Sequence, residues 1–162
     1  MTDEPSRERD SAGRPRNARP RDELGRPLAR GAAGVQPLPE VIELPPREAL
    51  AQAQRLLDEG RPFHAHEVLE SAWKSAPAPE RDLWQGLAQL AVAATHAARG
   101  NTAGAATVMK RARTNISPYN TDPPYSIDVQ SLTDWCDKAL IELPKPGAKI
   151  GTPVLCQRGR KT

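Results

Sequence analysis

The 162-residue sequence is poor in aromatics: one Phe, two Tyr and three Trp, all between positions 63 and 135. Large core side chains are thus confined to one stretch, which predicts a single folded core. Cysteine is nearly absent too. Cys136 and Cys156 alone give no disulfide framework at this length, which excludes a secreted disulfide scaffold and points to a reducing cytoplasm. Long apolar runs are missing. The longest charge-free segment, 83–98, carries Gln85, Gln89 and His96 and is too short and polar for a membrane span. The opening Met1-Thr2-Asp3-Glu4 is acidic with no apolar run behind it, so no secretory signal is expected. No Gly-rich phosphate loop, Cys-x-x-Cys pair or serine elbow occurs. Nucleotide hydrolysis, zinc-finger and serine-hydrolase readings therefore have no support.

Acidic residues are missing from one end. Residues 143–162 hold five bases and no acid, residues 1–39 hold eight Arg against six acids, and residues 40–142 hold ten bases against fourteen acids. The pI of about 9.1 thus comes from the flanks. Residues 1–46 contain eight prolines and no aromatic. Such a segment cannot bury enough apolar surface to offset chain entropy. We therefore expect a disordered Arg/Pro-rich arm at 1–45, a folded domain at 46–143 and a disordered basic tail at 144–162. Nucleic-acid contact, which needs cations facing phosphate, is expected at most of the two tails and not of the acidic centre.

Within the centre, proline marks boundaries by its absence: none occurs in 47–61, 63–76, 80–117 or 125–143. Each window has helical and not alternating periodicity. They predict five helices, at about 46–59, 62–75, 80–99, 103–116 and from Ser126 or Asp128 to just before Pro144, with Gly60 and Gly100 as stops. The fold class is an all-α bundle of about five helices. The third helix has almost no charged face and is the expected central one, its Gly86 and Ala93 allowing close backbone approach. Trp73, Trp84, Trp135 and Cys136 are read as core, and Cys156 as an exposed thiol in the tail.

Two polar sets stand out. The third helix carries a narrow stripe of Gln85, Gln89 and His96. On the second, placing residues about 100° apart puts Phe63, His66, Leu69, Glu70 and Trp73 on one side, with His64 pointing away and Glu67 at the edge. A buried carboxylate must be paired, protonated or bound, so Glu70 needs a partner. One partner set is internal: His66 one turn back, closed by Gln85 and Gln89 from the third helix. The other is one divalent metal ion. His66-Glu67-x-x-Glu70 has the spacing of a zinc-protease helix with a carboxylate replacing the second imidazole, His66 and Glu70 as ligands, His96 as a third and Glu67 as general base.

The combination of His66-Glu67-x-x-Glu70, Gln85-Gly86-x-x-Gln89 and Gly100-Asn101-x-x-Gly104-Ala105 resembles domain-of-unknown-function family 309, over roughly residues 47–116. The resemblance implies a compact helical domain of the kind labelled a predicted metal-dependent hydrolase, with no substrate attached to the label. Two functional readings follow. One is a non-catalytic helical module that presents a surface to a protein partner or a second copy of itself. The alternative is a metal-dependent hydrolase using one divalent ion at the His-Glu-x-x-Glu motif.

Overall fold

The structure is a computed structural model and describes residues 44–157, together with the backbone of a two-residue antiparallel pair, β1 (Glu8–Arg9) and β2 (Pro15–Arg16). The expectations of disorder and of nucleic-acid contact for the rest of the arm and for 158–162 lie outside the described residues. Five α-helices follow: α1 (Pro46–Asp58), α2 (Pro62–Ser75), α3 (Arg81–Ala98), α4 (Thr102–Ile116) and α5 (Val129–Glu142). This is the all-α bundle that proline spacing predicts. Pro46 and Pro62 occupy the first turns of α1 and α2, where a missing N–H costs nothing. Asp128 caps α5 by accepting from the Ser131 N–H at 3.1 Å.

Two glycines make the helix hairpins. Gly60 (φ 73°) ends α1 with Arg61 N–H donating to Leu56 O and Gly60 N–H to Leu57 O. Gly100 (φ 82°) repeats the pattern after α3, with Asn101 N–H to His96 O and Gly100 N–H to Ala97 O. Both are Schellman turns, which use left-handed backbone to satisfy carbonyls that a helix end would leave bare. Asn101 then caps α4 through its side-chain oxygen, which accepts from Gly104 N–H at 3.0 Å. A Cβ at Gly104 would collide with that same Asn101 side chain. The Gly-Asn-x-x-Gly phrase is thereby accounted for by turn geometry.

Helix α3 packs against α2 on one side and α4 on the other. Its Leu83, Trp84, Leu87 and Leu90 are almost wholly buried, each contributing about 1.5–3 kcal/mol of apolar burial. A Cβ on Gly86 would stand 2.5 Å from Ile116 Cγ2 and 3.1 Å from Ala112 O, so this glycine sets how closely α3 and α4 approach. Trp84 Nε1–H donates to Glu80 and Tyr125 O–H donates to the other oxygen of the same carboxylate, each at 3.2 Å. One acid at the entry to α3 thus ties down the buried tryptophan and the loop before α5. Trp73 and Trp135 are half-buried against the same core, and Cys136 is fully buried in it.

Helix α2 is rotated relative to the sequence expectation. Its buried residues are Pro62, His64, Ala65, Val68 and Leu69, and His64 is only 2% exposed. The expectation that His64 faces solvent is therefore corrected. The large rings of Phe63 and Trp73 pull a helical-wheel direction toward themselves, yet both are half-buried at the edge. Small Ala65 and Val68 lie at the centre because α2 is covered from two sides, by α1 and by α3.

The chain after α5 also departs from expectation. Residues 150–157, assigned by composition to a disordered basic tail, return across the bundle with Leu155 1% exposed. Ile127 and Cys156 form an antiparallel bridge, with Asp128 N–H donating to Leu155 O and Gln157 N–H to Ser126 O. Gln54 of α1 clamps the other side: its Oε1 accepts from Leu155 N–H at 2.9 Å and its Nε2 donates to Pro153 O at 3.1 Å. Trp135 Nε1–H holds Gly151 O at 2.9 Å. Cys156 is consequently half-buried, with Sγ 3.8 Å from Tyr125 O, and is not the exposed thiol expected.

Candidate functional site

Along the outer face of α2 runs a ladder of charged groups one turn apart. His66 Nε2 lies 3.1 Å from Glu70 Oε2 and Lys74 Nζ lies 3.1 Å from Glu70 Oε1. Both carboxylate oxygens are therefore engaged from within one helix, by residues at i−4 and i+4. The His66 hydrogen bond, joined by that of Lys74 and by both charges, outweighs partial burial and holds the Glu70 carboxyl down at about 2. Glu70 is ionised at any ordinary pH. The other ring nitrogen of His66, Nδ1, is buried without a hydrogen-bond partner.

The face is half-exposed and not buried: the His66 and Glu70 side chains retain 22% and 33% of their accessible surface. The expectation of a buried cluster between α2 and α3 is corrected accordingly, for the reason that α2 turns its other side to its neighbours. Phe63 stands beside the ladder with its ring 5.7 Å from the His66 ring and 6.1 Å from that of His64. Glu67 is half-buried on the same helix and has an interaction of its own. Behind the face, burial and then the Arg61 charge pull His64 below the usual histidine range. His64 Nδ1 and Arg61 Nε are both buried without a hydrogen-bond partner.

The structure brings His66 and Glu70 together as their spacing predicts, but His96 and the glutamines go elsewhere. His96 sits in the last turn of α3, where the Schellman turn returns Asn101 to it at 3.2 Å between ring Nδ1 and Nδ2. Gln89 accepts from Asn115 Nδ2 at 2.8 Å and so links α3 to α4, not to α2. Gln85, one turn earlier, is half-buried. Among the described residues no three His, Cys, Asp or Glu side chains gather into a metal-holding group, so the expected triad of His66, Glu70 and His96 is not assembled. Lys74 was not singled out from the sequence, although its i+4 spacing from Glu70 was there to be read.

Residues 50–108 match the model of the family described as a domain of unknown function, DUF309. That stretch is similar to DUF309. It runs from the second turn of α1 into α4 and contains all three phrases. The chain is also 50% identical over 48 residues to the uncharacterized protein YpuF of Bacillus subtilis (strain 168), a span covering 29% of this chain and 28% of that relative. No solved structure matches. Of the three phrases within the matched stretch, Gly-Asn-x-x-Gly is explained by a turn and a cap, and Gln-Gly-x-x-Gln by α3–α4 packing and the Gln89–Asn115 bond. The α2 phrase is accounted for by neither a turn nor interhelical packing, and its His66 and Glu70 stand half-exposed. No helix among the described residues is long and apolar enough to cross a membrane.

Proposed function

We propose that the DUF309 region of this chain is a non-catalytic helical module that offers the α2 face, from Phe63 to Lys74, to a protein partner or a second copy. The observation carrying this reading is the closure of Glu70: both its oxygens are held by His66 and Lys74. A carboxylate beside a lysine ammonium is poorly placed to receive a divalent cation, because the cation would have to displace or repel Lys74. The same ladder, flanked by half-buried Phe63 and Trp73, combines ordered charge with aromatic surface, the composition of interface cores and rims. Two free cysteines suit a reducing cytoplasm.

The alternative, a metal-dependent hydrolase with one divalent ion at His66 and Glu70 and Glu67 as base, draws on the convergence of the first two residues and the unpartnered His66 Nδ1. Elemental analysis of untagged protein, paired with a photo-crosslinking side chain at position 74 and a control at position 110, separates the two. Discrete crosslinked protein species from position 74 alone, with substoichiometric metal, are expected. Stoichiometric metal that disappears in Glu70→Gln would overturn the module reading.

A further inference from the structure

A cavity of about 440 Å³ lies between α1 and the returning chain at 154–157, and it shares no residue with the α2 face. This is within the size range of small-molecule sites. One wall is a single face of α1: Arg47, Leu50, Ala51, Gln54 and Asp58. The other is Val154, Leu155, Cys156 and the exposed Gln157, with Tyr125 and Ser126 at the end nearest Arg47. Tyr125 and Ser126 hold left-handed backbone, φ 56° and 58°, a conformation that costs non-glycine residues energy and that here presents the Tyr125 ring to Arg47.

The polar groups of the wall are mostly spent. Gln54 donates to Asp58 Oδ1 at 3.0 Å and to Pro153 O at 3.1 Å and accepts from Leu155 N–H at 2.9 Å. The Tyr125 hydroxyl is given to Glu80. The middle of the cavity therefore offers Ala51 and Val154, backed by the buried Leu50 and Leu155, as its apolar contact surface. At one end stands Arg47, its guanidinium 6.0 Å from the Tyr125 ring centroid, its charge acting on both the Tyr125 phenol and the Cys156 thiol. At the other, Asp58 lies eleven positions along α1, about 16 Å away at helical rise. The helix adds to this polarity, because α1 starts at the Arg47 end, positive, and finishes at Asp58, negative.

We propose that this cavity binds a small monocarboxylate with an apolar body, its carboxylate on Arg47 and its body against Ala51 and Val154, over the buried Leu50 and Leu155. One guanidinium and no second basic side chain in the lining match a single negative charge, whereas a phosphate dianion calls for more donors. Asp58 at the far rim, with the negative helix end beside it, repels a second carboxylate. The site thus selects a monoacid over the diacid of equal length.

The test uses the full chain with octanoate, octanol and octanedioate as probes, and reads two signals: calorimetric binding, and alkylation of Cys156 with buried Cys136 as the internal reference. Octanoate is expected to bind and to slow Cys156 alkylation, with octanol and octanedioate far weaker. Arg47 is exposed in the first turn of α1, so Arg47→Gln should keep its melting temperature while weakening octanoate about tenfold or more, the loss of one charge-assisted contact. Asp58→Asn should admit octanedioate. Equal protection by octanol and octanoate, no protection by either, or octanoate binding unchanged in Arg47→Gln would each overturn the proposal.

Discussion

The two sides of the bundle divide their labour differently. On the α2–α3–α4 side, the residues that draw the eye in the sequence serve mainly the fold: Gly86 sets an interhelical distance, Gly100 and Asn101 make a turn, and Gln89 bridges to Asn115. On the side of α1 and the returning 150–157 segment nothing draws the eye, yet there lie the cavity, the strained Tyr125–Ser126 pair and a clamp made by one glutamine. Recognisable spacing therefore marks what the fold requires at least as often as what a site requires. An unremarkable tail can build a concave surface.

The sharpest way to test the first half of this contrast is Gly86→Leu. A side chain there meets Ile116 and the α4 backbone, and overpacking of a close helix contact should cost about 3 kcal/mol or more, read as loss of a cooperative thermal transition. Gln54→Ala probes the other half. It leaves Leu155 N–H and Pro153 O without their partner, and should cost about 1–3 kcal/mol in chemical denaturation while speeding proteolysis after α5. Equal stability to wild type would mean that the returning chain is not tied to α1. Asn101→Ala removes a helix cap and should cost about 1 kcal/mol. Smaller again is the pH response of His64. Burial lowers its pKa, so the unfolded chain binds the proton more readily, and its contribution is complete above the ordinary histidine range and is lost as pH falls through and below it. Wild type should therefore lose melting temperature between neutral pH and pH of about 5.5 more steeply than His64→Leu, which also removes an unpartnered buried nitrogen and should be close to neutral in cost at high pH. The smallest effect is expected of Glu70→Gln. A carboxyl lowered from 4.5 to about 2 gives stability present above the higher value and lost as pH falls toward the lower. The variant should flatten the acid limb in that window and change little at neutral pH, as suits a half-exposed pair.

How much of this was legible follows from which physics each feature obeys. Helix positions depend on proline and glycine in the local chain, so α1 to α5 and the stops at Gly60 and Gly100 could be read directly, and the cap of α5 was narrowed to Ser126 or Asp128, of which the structure uses Asp128. The His66–Glu70 pair is intrahelical and was readable for the same reason. The direction in which α2 faces depends on two neighbouring helices, and aromatics at a boundary gave it wrongly. His96 was lost to a turn that closes five residues later at Asn101, and Gln89 to the register of α4, neither of which local periodicity encodes. The tail's average charge concealed Pro153-Val154-Leu155-Cys156, a short apolar phrase that was the available signal for docking.

The Gln54 clamp has a consequence for the order of assembly. Its two backbone partners lie 99 and 101 residues further along the chain, whereas the α3–α4 hairpin closes across a turn of a few residues. Local closures are fast and distant ones wait on a large search. During synthesis the central hairpins can form while α1 still lacks its cover, until the chain past residue 155 has emerged. The cavity wall is therefore the last piece set in place, and pulse-labelled hydrogen exchange should find the Leu155 amide protected after those of α3.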